Sequence, residues 1–322
     1  MRKSLSYLLI IVLLSIGGYF FRSDLETLLP QPHQNNHSDS SKFEPSGDSL
    51  KDSITIASFN IQVFGQSKLE DSAAMDILAR TARRFDIIAV QEIRSKSQDV
   101  MPRFIDLINR GGHRYDYVIG PRIGRTVSKE QYAYVYNTDR LELDPSSIHT
   151  VYDPEDMLHR EPLVGTFRVR GVSPDSAFTF TLINIHTDPD EVDLELNVLD
   201  DVFRAVIQDG RGEDDVIMLG DFNTEPQESG EFGSLPNIHW AIQGVPSNTR
   251  GTKLYDNLVF STLTTTEFTG RAGVFDLCKA YNLTLEQALE VSDHFPVWAE
   301  FTVEEGGKRG RIAQAPGGSN YR

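Results

Sequence analysis

Two histidines stand at the ends of apolar runs with acids beside them. His186 closes the run 178–185 and is followed by Thr187 and Asp188, and His294 follows Asp293 just before Phe295-Pro296-Val297. An imidazole titrates near neutrality, so a histidine oriented by a carboxylate can take or give a proton at physiological pH. The same punctuation recurs with other polar types. Asn60 ends the β-rich run that starts at Ile54, and Glu92 ends the short apolar run 86–91. Asp221 and Asn223 follow the run 215–219 across Gly220, and Asp256 opens the run 256–260 behind Tyr255. Any one of these also reads as a polar residue where a strand meets water, and an Asp-His pair before a strand is more often a turn with a solvated imidazole. Recurrence at so many strand ends is poorly explained by chance. Carboxylates, amides and two histidines together suit hydrolysis of a phosphate ester with a hard divalent cation. Glu92 would hold Mg²⁺ or Ca²⁺ through oxygen, asparagines would orient phosphate oxygens or water, and the histidines would move protons. The cation and cationic side chains would offset charge growing on a phosphorane-like transition state.

Elements able to position these groups are legible from periodicity. Helical spacing is expected over residues 69–85, 100–110, 191–207 and 283–289. Strands are expected at residues 115–119 and 130–136, the latter with a stripe of Tyr132, Tyr134 and Tyr136 turned to the core. Strands alternating with helices and ending on polar residues fit an α/β architecture with its ligand site along one edge. No internal repeat is visible. The loop 122–129 gathers Arg122, Arg125 and Lys129, against the charge of the rest of the chain.

Composition agrees with a chain that can bury a full core: 39% hydrophobic and 24% charged over 322 residues. A formal net charge of -16 argues against holding a polyanion by bulk electrostatics, so a nucleic-acid role must rest on local arginines and metal ions. Cys278 is the single cysteine, so no intrachain disulfide exists. Residues 1–22 carry Arg2 and Lys3 ahead of an apolar run at 5–21, expected to be either a cleaved signal peptide or an uncleaved membrane anchor that places the bulk outside the cytoplasm. Residues 23–52 read as a disordered linker whose His33 and His37 are solvated, and residues 305–322 as a disordered basic tail.

The ordered segments SFNIQVFG, IIAVQEIR, GRTVSKEQY, REPLVGTF, LINIHTDPDE, MLGDFNTEP, YDNLVF and VSDHFPV resemble the endonuclease/exonuclease/phosphatase superfamily, and within it the deoxyribonuclease I family. The likeness covers residues 53–301, and the joint order of FNI, QE, GDFN and SDHFPV carries its specificity. It implies a single domain at 53–304 with a four-layered α/β sandwich, two packed, mostly antiparallel mixed sheets flanked by helices. It also implies that His186 with Glu130, and His294 with Asp256, flank the scissile phosphate. By the same resemblance Glu92 is the main metal ligand, adjoined by Asn60 and Asp293, and Asp221 and Asn223 orient phosphate and metal. Arg94 and Arg160 would enter or border the DNA minor groove, the loop residue Arg125 would also bind substrate, and Tyr255 would touch the backbone. Mg²⁺ is the implied cofactor, with Mn²⁺ or Ca²⁺ as substitutes, and a monomer acting on double-stranded DNA is the implied state.

Two departures stand out. The family's disulfide-bearing loop after GDFN has no cysteine here, so residues 225–252 are expected to be looser, and Ser128 replaces an aromatic ahead of the KE pair. Three functions therefore compete: a largely nonspecific endonuclease, a lipid or inositol-phosphate phosphodiesterase or phosphatase using the same site, and a binding module without activity. No exposed apolar hairpin for entering lipid is visible, and a binding role would not require all the site residues together.

Overall fold

The computed structural model describes residues 52–127 and 129–306. The expected targeting segment of residues 1–22, the linker up to residue 51, Ser128 and the tail from residue 307 lie outside the described residues. Among the described residues no helix is long and apolar enough to cross a membrane.

In chain order the strands are β1 (Ser53–Phe64), β2 (Ile87–Ile93), β3 (Tyr115–Ile119), β4 (Gln131–Asn137), β5 (Leu141–Leu143), β6 (His149–Thr150), β7 (Leu163–Val169), β8 (Thr179–His186), β9 (Val216–Asp221), β10 (Ile238–Trp240), β11 (Asp256–Ser261), β12 (Phe268–Val274) and β13 (Val297–Thr302). The helices are α1 (Gln66–Glu70), α2 (Ser72–Ala82), α3 (Val100–Ile108), α4 (Val192–Ile207), α5 (Gly230–Gly233), α6 (Leu277–Tyr281) and α7 (Leu285–Val291). One sheet runs β12-β13-β1-β2-β4-β3, and the other runs β10-β11-β9-β8-β7-β5 with β6 also on β7.

The two sheets face each other across one apolar core. Ile56 of β1, Tyr132 and Tyr134 of β4, Phe167 of β7, Phe180 and Leu182 of β8, and Phe301 of β13 all belong to it. Burying each such side chain contributes about 2 kcal/mol. Strands β8 and β9 are apolar on both faces because both are covered: Leu182 and Leu219 point to the inter-sheet core, while Ile183 and Met218 pack with Leu199 and Phe203 of α4. On the far side of the first sheet, Phe64 of β1 meets Phe104 of α3 edge-on at 5.3 Å. The result is the four-layered α/β sandwich, helix-sheet-sheet-helix.

Most strand pairs are antiparallel, but β1 with β2 and β8 with β9 are parallel. A parallel pair needs a crossover, and these connections carry α1 and α2 in one case and α4 in the other. Each parallel pair therefore brings its polar residues to the same edge: Asn60 and Glu92 from the first sheet, where β1 does not end at Asn60 as expected but runs on to Phe64 after its regular pairing with β2 breaks, and His186 and Asp221, the last residues of β8 and β9, from the second.

One local expectation is corrected, and two features that the spacing did not show are added. The helix expected over 69–85 is two helices broken at Asp71, whose extended backbone and carboxylate cap α2 by accepting from the Ala73 and Ala74 amides at 3.0 Å. Strands β7 and β12 escaped the period-two reading because Gly165, Gly270, Arg271 and Gly273 interrupt their alternation. At Gly165 a β-carbon would lie 2.7 Å from Ile148 Cδ1, so the Ile148 side chain, just ahead of β6, would have to shift to admit one. Residues 225–252 are held by an aromatic cluster in place of a disulfide, with Trp240 5.0 Å from Phe222 and 5.8 Å from Phe232.

Candidate active site

Strand register sets three site residues side by side. His186 on β8 is paired across from Asp221 on β9, and Asp221 is paired across from Asp256 on β11. Asn60, from the facing sheet, donates its Nδ2 to Asp221 Oδ2 at 3.0 Å and so ties the two sheets at this edge. Glu92 is brought in by an irregular backbone. Its φ is +61°, at a point where the pairing of β2 with β4 shifts register between Val90 and Ile93. Such a conformation in a non-glycine residue costs on the order of 1–3 kcal/mol and persists where surrounding contacts hold it. Here the Glu92 carboxylate accepts from the Val63 amide at 2.8 Å and from Asn60 Nδ2 at 3.3 Å.

Each histidine is oriented by its own buried carboxylate. His186 Nδ1 lies 2.9 Å from Glu130 Oε1, and His294 Nδ1 lies 2.8 Å from Asp256 Oδ2. Both Nε2 atoms converge on the same oxygen, Asp221 Oδ2, at 3.6 Å and 3.5 Å. Burial would lower His294, but Asp256 and Asp221 outweigh it and push the imidazole up to about 10. His186 is raised in the same way, burial being outweighed by Glu130 and then Asp221. Burial would raise Asp221, yet the two imidazoles hold it below the usual carboxylate range. Burial raises Asp256 against the pull of His294, while His186, Arg160 and Arg94 keep Glu130 low despite its burial. The site thus stores positive charge on two imidazoles around one carboxylate.

Beside this group lies an oxygen-rich corner. Asn60 Oδ1 is buried without a hydrogen-bond partner, and the same amide donates from Nδ2 to the Glu92 carboxylate. Asp293 and Glu92 both act electrostatically on Lys68 from nearby. Oxygen donors with one orphaned amide oxygen fit a hard divalent cation better than a soft one. Asp221, Asp256 and His294 also present ligand atoms within 4.8 Å of one another. Residues able to hold a divalent cation are therefore present.

The arginines differ from one another. Arg94 is partly exposed, with Nη2 3.0 Å from Glu92 Oε2 and 3.8 Å from Glu130 Oε2. Arg160, expected to border an open groove, is instead 7% exposed. Its Nη1 donates to the His186 carbonyl at 2.8 Å, and its Nε lies 3.3 Å from Glu130 Oε2. It braces the His186–Glu130 pair. Arg125 bonds Asp156 at 3.1 Å and Glu191 at 2.7 Å, and Arg122 donates to the Arg94, Ser95 and Lys129 carbonyls, so much of the basic loop's charge is spent on loop contacts. Tyr255 is half-buried beneath the Lys253 ammonium, 5.9 Å from its ring. Asn223 turns at φ +49°, and its Nδ2 donates to the Thr187 carbonyl at 2.8 Å, which fastens the loop after His186.

The sequence model of the endonuclease/exonuclease/phosphatase family matches residues 57–294, from β1 to His294. The chain belongs to this family. It is an enzyme, with the family's strand-end polar residues gathered at one edge. Among curated proteins it is similar to deoxyribonuclease gamma of Homo sapiens, 35% identical over 262 residues, covering 76% of this chain and 84% of the relative. Deoxyribonuclease gamma of Rattus norvegicus is 33% identical over 76% of this chain and 83% of its own length, and deoxyribonuclease-1-like 1 of Sus scrofa is 32% identical over 78% and 82%. Among solved structures, an endonuclease/exonuclease/phosphatase family protein from Bacteroides thetaiotaomicron superimposes with a TM-score of 0.53 at 18% identity, covering 78% of this chain and 98% of that one. The human Nocturnin catalytic domain does so with 0.52 at 16% identity, covering 78% and 93%. At those identities the likeness is one of fold.

Several positioning residues were not singled out from the sequence, although Gln91 and Ser292 lie within motifs that were. Buried Ser247 donates from Oγ to Asp256 Oδ2 at 2.7 Å and accepts from the Tyr255 and Asp256 amides, fixing the acid that fixes His294. Ser292 donates to the Asn60 carbonyl at 2.7 Å. Gln91 joins Ser58 to Asn184 across the sheets, at 3.0 and 2.7 Å. Ser247 lies in a loop where nothing local sets a serine apart, and the motifs that hold Gln91 and Ser292 do not show what those side chains bond.

Proposed function

We propose that this enzyme is a divalent-cation-dependent phosphodiester hydrolase acting on DNA, a largely nonspecific endonuclease. The observation that carries the reading is the convergence of both Nε2 atoms on Asp221, each with its Nδ1 held by a separate buried carboxylate. Two imidazoles aimed at one point suit a phosphate with a nucleophile on one side and a leaving group on the other. A carboxylate on Nδ1 fixes the tautomer and turns Nε2 to the substrate. As water attacks phosphorus and the P–O3′ bond breaks, one imidazole, once deprotonated, accepts the water's proton, and the other donates its Nε2 proton to the leaving oxygen. Positive charge on the imidazoles also stabilises the oxygens of the transition state. Glu92 and Asn60, with Asp293 adjoining, would hold Mg²⁺, with Mn²⁺ or Ca²⁺ able to replace it. When bound, the cation supplies Lewis-acid stabilisation of phosphate oxygens.

Deoxyribonucleases are the named relatives, which supports DNA as substrate. Arg94 is the partly exposed cation at the site's rim that would meet a phosphate or the minor groove, while Arg160 positions His186 from behind. Residues 5–21 fit a signal or anchor that delivers the enzyme outside the cytoplasm. Purified chain with Mg²⁺ or Mn²⁺ is expected to nick supercoiled plasmid, and His186→Ala or His294→Ala to lower the rate about 10²–10⁴-fold with the circular-dichroism spectrum unchanged. Intact plasmid beside turnover of sphingomyelin or an inositol phosphate would reassign the substrate to lipid headgroups.

A further inference from the structure

A second set of acids sits at the opposite end of β9. Asp215 immediately precedes that strand, six residues before Asp221, which puts it roughly 20 Å from the active site. Oxygens of Asp215, Glu267 and Glu305 lie within 4.8 Å of one another, and so do those of Glu213, Asp214 and Asp215. Glu267 leads into β12 and Glu305 follows β13, so the group joins one sheet to the other.

Acids in a cluster are common, and burial is what sets this one apart. Asp215 is 0% exposed, and neither of its carboxylate oxygens has a hydrogen-bond partner. Glu267 is 2% exposed with Oε2 unpartnered, although its Oε1 accepts from the Gly306 amide and Thr266. Thr265, from outside the acidic set, is equally buried, and its hydroxyl stands beside Asp215 without the alignment of a hydrogen bond. Burial, then the neighbouring Glu267 and Glu305, push Asp215 up to about 10, and burial pushes Glu213 up to about 8. Orphaned buried oxygens cost about 1–3 kcal/mol each unless something satisfies them.

Ca²⁺ binds oxygen at 2.3–2.6 Å, so opposite ligands of one ion stand about 5 Å apart, a span that matches this group. Mg²⁺ dehydrates reluctantly and usually keeps several waters, which a buried pocket of carboxylates does not offer. Half-buried Glu305 gives an entry from solvent. We propose that Asp215, Glu267 and Glu305, with Glu213 and Thr265 alongside, form a structural Ca²⁺ site that fastens the two sheets at the end opposite the active site.

The test is thermal unfolding of the EDTA-treated full chain during titration with CaCl₂. Ca²⁺ at about a hundredfold excess over its dissociation constant is expected to raise Tm by about 5–10 °C. Asp215→Asn and Glu267→Gln should lose the rise, and without Ca²⁺ they should unfold no earlier than the parent, because each amide matches the shape of the acid it replaces and carries no charge among the remaining carboxylates. Glu92→Gln should keep it, which separates this site from the catalytic edge. A parent Tm indifferent to Ca²⁺, a rise that survives Glu267→Gln, or one that Glu92→Gln abolishes would overturn the proposal.

Discussion

At the scale of single residues, Asp221 is where the polar contacts of the candidate site meet. Its Oδ2 lies within 3.0–3.6 Å of Asn60 Nδ2 and both imidazole Nε2 atoms. That company explains why Asp221 stays ionised in a fully buried place where burial alone would protonate it. The same contact has a signed consequence for stability. His294 is raised from 6.5 in the unfolded chain to about 10 in the folded one, so its contribution is fully present below about pH 6.5 and is lost as pH rises through about 10. Urea unfolding of metal-free protein should therefore show the parent losing stability relative to His294→Ala across that window. Parallel curves would mean that His294 is not held charged. Ser247→Ala should act at one remove. It strips Asp256 of its hydroxyl donor, costs about 1–3 kcal/mol, and lowers nicking by weakening the orientation of His294; Ser247→Thr, which keeps the hydroxyl, should restore much of the rate if it is accommodated.

At the scale of elements, the site depends on how closely β8 and β9 approach. Ile185 is paired with Gly220 one residue before His186 meets Asp221. A β-carbon on Gly220 would lie 1.9 Å from the Ile185 carbonyl oxygen, a clash with backbone that no rotamer relieves. Gly220→Ala is expected to cost more than about 3 kcal/mol or to prevent folding, with nicking lost in either case. A urea midpoint within about 1 kcal/mol of the parent would show that the strands can part without penalty. Elements with uninterrupted periodicity, such as α3, α4 and β4, were legible in the sequence to within a few residues. Strands β7 and β12 were not, because glycines interrupt their alternation, and the close neighbour of Gly165, Ile148, comes from another part of the chain.

At the scale of the whole molecule, the net charge of -16 and the polyanionic substrate pull in opposite directions. The basic loop does not resolve this, since Arg125 is already bound by Asp156 and Glu191. On the proposed function, encounter with DNA would rest on a few local cations at the rim, Arg94 among them. Nicking should fall steeply with added NaCl as phosphate contacts are lost, and Arg94→Ala should make the logarithmic salt dependence of kcat/KM shallower by about one unit. A flat salt response would count against duplex DNA as substrate.

The sequence by itself determined which polar types stand at strand ends, and their order along the chain was enough to place it in its family. Such residues are legible because a strand's end is a local event, an apolar run stopping at an acid, amide or imidazole. Only the tertiary structure decided how they are used. Arg160 looked like a ligand for DNA and is buried behind His186, Asp221 became the point on which both imidazoles close, and Ser247 entered the site from an unremarked loop. Those outcomes depend on register between strands far apart in the chain and on which side chains burial forces together. Asp293 and His294 show the difference most plainly. They are neighbours in sequence, yet His294 turns its Nδ1 to Asp256, thirty-eight residues away, while Asp293 lies beside the oxygen-rich corner with Lys68.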